Sequence, residues 1–75
     1  MSIRKIVGEN IRGYRKKINW TQEKLAIRSK ITPQHLGRLE LGKENFKIET
    51  LIALAVELRI ELHKFFIRES FKEDG

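Results

Sequence analysis

Gln34, His35 and Arg38 stand at i, i+1 and i+4 within Thr32–Leu41, TPQHLGRLEL. On a helix, Gln34 and Arg38 share a face and His35 lies beside them. Glutamine can pair bidentately with adenine and arginine with guanine, each good pair discriminating by about 1–3 kcal/mol. His35 can bond a base edge or a phosphate. Taken alone, three polar residues on a helix are more often simply solvated. Their meaning depends on the elements that carry them.

Those elements lie in Thr21–Gly42, TQEKLAIRSKITPQHLGRLELG. The stretch reads as two short helices joined by a tight turn. Thr21 and Thr32 stand where a side-chain oxygen caps the first free N–H groups of a helix. Pro33 fits the first helical position, where a missing N–H costs nothing. Gly42 suits a helix stop. Leu25, Ala26, Ile31, Leu36 and Leu39 can pack the pair into a corner, leaving Gln22, Gln34, His35 and Arg38 on the opposite face. A helix-turn-helix enters the DNA major groove with such a pair.

The stretch resembles the Cro and phage-repressor (XRE-type) helix-turn-helix family. The residues that carry the resemblance are Thr21, Gln22, Glu23, Leu25 and Ala26, then Ile31, Thr32, Leu36, Leu39, Glu40 and Gly42. It continues upstream through Val7–Arg12 and Arg15, and downstream from Ile48 to Phe66. The ending, from Glu44-Asn45-Phe46 to Phe65-Phe66, is similar to the small controller proteins of restriction–modification systems. The resemblance implies an all-α, compact five-helix domain of the lambda-repressor type. It puts Pro33, Gln34, His35 and Arg38 at base edges. Gln22, Thr32, Lys43, Asn45 and Lys47 fall on the DNA backbone, with solvation a live alternative for the lysines. It also pairs Arg15 with Glu40 in an ion pair that leaves the guanidinium near a phosphate. Lys30 and Gly37 depart from the family pattern. Lys30 replaces a glycine or asparagine in the turn, and Gly37 removes a base-reading side chain while admitting a closer backbone.

The charge distribution agrees with a polyanionic partner. Residues 1–43 hold eleven Lys/Arg against three Glu, a net +8, while residues 44–75 carry −2. The basic half therefore contains the helix pair. Double-stranded DNA is the expected partner. The basic residues are not backed by an exposed aromatic face of the kind a membrane helix shows. No apolar run approaches the roughly 18 residues of a membrane span. The start, Met-Ser-Ile-Arg-Lys, lacks the apolar stretch of a signal peptide. The expectation is a cytoplasmic chain with no membrane partner.

Along the rest of the chain, Ile3, Val7, Ile11, Tyr14 and Ile18 predict a first helix over about residues 3–17, stopped by Asn19 in a left-handed conformation. Trp20 and Leu25 can form a hydrophobic staple. The helix pair is expected at about 22–29 and 33–41. Asn45 supplies turn chemistry in the loop 43–47. Ile48, Leu51, Ile52, Leu54, Ala55 and Leu58 predict a fourth helix over 48–58, and a fifth is expected at 61–70. Residues 71–75 are expected to fray.

The 75 residues allow one domain, 1–75, and contain no cysteine. A chain this short buries only about 60% of its unfolded surface. With no disulfide available, self-association is the remaining way to bury more. The dense apolar ending suits a homodimer built on Leu51, Ile60, Leu62, Phe65 and Phe66. The residues leave open which of Phe65 and Phe66 faces the partner, and the family resemblance implies that Phe66 is the more buried within the subunit. His35 and His63 are the only histidines. No metal-ligand spacing, nucleophile–base pair or phosphate-cradling glycine loop appears. No enzyme activity, metal, cofactor or small-molecule ligand is expected. The expected function is sequence-specific binding of a palindromic operator as a homodimeric transcriptional regulator. The alternative is a protein-binding helix-turn-helix module, such as an antitoxin or anti-repressor.

Overall fold

The computed structural model describes residues 2–71. Four α-helices follow in chain order: α1 (Ile3–Lys17), α2 (Gln22–Ser29), α3 (Pro33–Glu40) and α4 (Ile48–Leu58). A short 3-10 helix, Leu62–Phe66, closes the chain against α1 and α4. No strand occurs among the described residues.

Three helices begin on a side-chain cap. Ser2, Thr21 and Thr32 accept from the backbone N–H of Lys5, Lys24 and His35. α4 follows Lys47, its N-cap, without a side-chain cap hydrogen bond, so the turn chemistry expected of Asn45 does not extend to capping that helix. All four helices end alike. Asn19, Lys30, Gly42 and Arg59 take positive φ, from 57° to 71°. The next N–H then reaches back five residues: Trp20 to Arg15, Ile31 to Ala26, Lys43 to Arg38 and Ile60 to Ala55. This satisfies carbonyls that a helix end otherwise leaves open. Lys30 and Arg59 carry the left-handed strain because Ile31 and Ile60 dock against the core directly after them.

One core joins all the elements. Val7 and Ile11 of α1 meet Leu25 and Ala26 of α2, Leu36 and Leu39 of α3, Leu51, Leu54, Ala55 and Leu58 of α4, and Phe65. The ends of the predicted α1 stripe, Ile3 and Ile18, stay exposed, and Ile6 is buried instead. Gly8 lets α1 approach α3: a Cβ there would lie 2.3 Å from the Leu39 carbonyl oxygen. Trp20 is half-buried against the core and carries Lys24 and Arg28 over its ring.

Two expectations are corrected here. The fifth helix expected over 61–70 is reduced to the 3-10 helix Leu62–Phe66. The Asn10 side-chain amide donates to the carbonyls of Lys64, Phe65 and Ile67 at 3.3, 2.8 and 2.7 Å. These acceptors would otherwise serve the next helical turn, and the chain becomes extended at Ile67. The resemblance implied that Phe66 is the more buried of the adjacent pair, and the structure has the opposite. Phe65 has no exposed surface, whereas Phe66 is 37% exposed and sits edge-on to Phe46. Phe71, expected to fray, is half-buried with its ring edge-on to Tyr14 at 5.0 Å. The fraying expected of residues 72–75 lies outside the described residues.

Candidate nucleic-acid interface

α2 and α3 meet through Leu25, Ala26, Leu36 and Leu39, all buried, with Ile31 half-buried in the turn between them. With Leu36, Leu39 and Glu40 buried, α3 turns Gln34 and Arg38 outward. Gln34 and Arg38 are exposed and His35 is half-exposed. Pro33 is partly covered at the start of the helix, and Thr32 is exposed with its hydroxyl committed to the His35 N–H at 3.0 Å. Lys43, Asn45 and Lys47 are exposed on the following loop. The structure thus brings these eight residues onto one helix, its cap and the loop that leaves it. Position 37 offers no side chain to a base; a Cβ on Gly37 would meet only the Gln22 side chain, at 3.7 Å.

Arg15 and Gln22 are placed differently from the exposed set. Arg15 Nε and Nη2 donate to the two oxygens of Glu40 at 2.7 and 3.0 Å, and Nη1 donates to the Trp20 carbonyl at 2.7 Å. Gln22 Nε2 donates to Glu40 Oε1 at 2.9 Å. The Glu40 side chain is 1% exposed. It therefore ties α1, α2 and the end of α3 together, and three N–H groups offset its loss of water. Gln22 belongs to this network as much as to the outer face.

Nothing in the sequence position of Glu44 marks it as a site residue. Its carboxylate bridges the outward face of α3, taking His35 Nδ1 at 2.7 Å and Arg38 Nη1 at 3.1 Å. The Arg38 hydrogen bond, then that of His35, holds the Glu44 carboxyl below its ordinary pKa. A broad open groove lies beside α3, lined by Lys5, Arg12, Lys16 and Lys17 together with Glu9, Glu69, Gln22 and Gly37. Sequence order separates these cations from the helix pair, and only the packing of α1 against α3 unites them.

Of the residues expected to meet a second subunit, Leu51 and Phe65 are corrected: both are fully buried in the core of their own subunit. Ile60 and Leu62 are half-buried against that core, and Phe66 remains at the surface. The exposed apolar side chains of α4 are Ile48, Ile52 and Val56. Their i, i+4, i+8 spacing makes one stripe, and none of the three was among the residues expected at the subunit interface. Among the described residues no three His, Asp or Glu side chains gather as a metal site, and no helix is long and apolar enough to cross a membrane.

Comparisons with known proteins agree with this architecture. A family model described as helix-turn-helix matches residues 11–65. The control protein C.SmaI of Serratia marcescens is 35% identical over 74 residues, covering 99% of this chain and 88% of its own. The crystal structure of the restriction–modification controller protein C.AhdI from Aeromonas hydrophila superposes with a TM-score of 0.81 at 28% identity, over 84% of this chain and 96% of that one. That of the clp gene regulator ClgR from C. glutamicum gives 0.82 at 25% identity, over 87% and 84%. With its capped helix pair, the Arg15–Glu40 tie and an outward polar face on α3, the chain belongs to the helix-turn-helix family of DNA-binding transcriptional regulators, in the Cro and phage-repressor (XRE-type) branch.

Proposed function

We propose that the protein is a sequence-specific regulator that binds a palindromic operator as a homodimer, acting in the cytoplasm where its DNA lies. The observation that carries this reading is the division of α3. Leu36 and Leu39 are buried, while Gln34 and Arg38 are exposed one turn apart on its outer side. Gln34, His35 and Arg38 read base edges, with Pro33 close to the bases at the helix start. Thr32, Lys43, Asn45 and Lys47 bear on the phosphates, which fix register without specifying sequence. Gln22 and Arg15 reach the backbone only with the donors that Glu40 and Trp20 leave free.

The surface left by folding supports dimerisation. Ile48, Ile52 and Val56 form an apolar stripe on α4, and Phe66, Ile60 and Leu62 supply apolar surface after it. A two-fold axis buries the same patch on both subunits. Binding of a palindromic operator requires two α3 helices about 34 Å apart, one turn of DNA. The likeness to C.SmaI and C.AhdI supports a role as a controller of restriction–modification genes.

Selection of bound sequences from a random duplex pool tests the proposal. A palindromic consensus with half-sites about 10 base pairs apart is the expected result. Failure to enrich any sequence at moderate salt would favour a protein-binding role for the same fold.

A further inference from the structure

Glu44 is an anion on a face whose other exposed side chains are cationic or neutral. It lies six residues beyond Arg38, yet folds back so that its two oxygens take one donor each from His35 and Arg38. The His35 and Arg38 side chains remain 36% and 63% exposed, so the bridge spans the reading surface instead of being buried beneath it. Gly42, at φ +71°, turns the chain so that this return is possible.

We propose that Glu44 is a specificity-determining residue: it positions His35 and Arg38 as a unit, so that Arg38 meets one base edge instead of ranging over nearby phosphates. The inference rests on the DNA-reading role of α3 proposed above. A guanidinium carries five N–H groups, and Glu44 takes one of them through Nη1. The edge formed by Nε and Nη2 stays available to a guanine, whose O6 and N7 accept two parallel hydrogen bonds. An unrestrained arginine on this surface would find phosphate oxygens in many orientations. A carboxylate on its other side repels phosphate and fixes the plane of the fork. Glu44 thus acts through Arg38 and is a positioning residue; it need not touch DNA.

The test measures binding of the intact chain to the selected operator and to an unrelated duplex of equal length, at one salt concentration. The variants are Glu44→Gln, Arg38→Ala and the double variant, with Glu49→Gln as a control for loss of one exposed negative charge. Glu44→Gln is expected to lower the operator-to-unrelated affinity ratio by about five- to tenfold, within the range one base contact commands. Glu49→Gln should leave the ratio unchanged. In the Arg38→Ala background, Glu44→Gln should have little further effect on the ratio. A ratio that Glu44→Gln leaves intact, or lowers equally with and without Arg38, overturns the role of Glu44. Absence of any operator preference in the unsubstituted protein overturns the reading of α3 itself, and the inference with it.

Discussion

Asn10 on α1 donates its side-chain amide to the carbonyl of Phe65, 55 positions later, at 2.8 Å. The flanking carbonyls of Lys64 and Ile67 surround the same nitrogen. Three acceptors around one terminal atom fix it as the NH2 group and not the oxygen. Asn10 itself is 1% exposed. The contact thus holds Phe65 in the core while ending regular helix immediately after it. Asn10→Ala is expected to destabilise the fold by about 1–3 kcal/mol, because it removes the donor from buried carbonyls. Asn10→Asp should cost more, since a carboxylate facing carbonyls adds repulsion to the lost donor. Urea unfolding followed by circular dichroism ranks the two; an Asp variant as stable as the original would refute the assigned contact.

The tie between Arg15 and Glu40 is the second point of test. Each single alanine substitution leaves a buried charge without its partner and should cost about 3–5 kcal/mol. The double substitution should cost clearly less than the two added, as neither orphan charge remains. Gln22 and the Trp20 carbonyl also lose partners, so the double variant should still be less stable than the original. Strictly additive unfolding free energies would mean that the pair does not interact.

On DNA, Arg38→Ala should weaken the operator by about 1–3 kcal/mol and relax preference at one base pair per half-site. Lys43→Ala should instead weaken all duplexes alike and reduce the dependence of binding on salt, as expected of a phosphate contact. Titrations at several salt concentrations separate the two behaviours. Unchanged affinity and selectivity after Arg38→Ala would exclude α3 as the reading helix in its proposed register.

The α4 stripe yields a prediction about assembly. Ile52 is 47% exposed within the subunit, so Ile52→Glu can be made without opening the core. Across a two-fold axis the new carboxylate comes close to its own copy, and the dimer should shift to monomer at micromolar concentration. Operator affinity should fall far more than non-specific binding by one subunit. Sedimentation of both proteins decides this, and a native protein that stays monomeric on its operator would rule out the dimer.

Helix existence and most helix ends were legible in the sequence because they depend on neighbours. Apolar spacing, the threonine caps, Pro33 and Asn19 act within a few residues, and α1, α2 and α4 span the residues expected of them. The buried faces of α2 and α3 followed from the same periodicity, and with them the outward placement of Gln34 and Arg38. Lys30 and Arg59 were harder: nothing local favours a left-handed lysine or arginine, and both are held there by Ile31 and Ile60 docking on a core assembled from distant helices. The same holds for the chain end. Phe65 and Phe66 are adjacent and equally apolar, so composition could not choose between them. Asn10, reaching across from α1, sets the rotation of that segment and turns Phe65 inward. Glu44 reads as one more loop carboxylate until the turn at Gly42 carries it back to His35 and Arg38. Propensity and pattern are local quantities, whereas the partner of a side chain is a long-range one, and only the packed chain decides it.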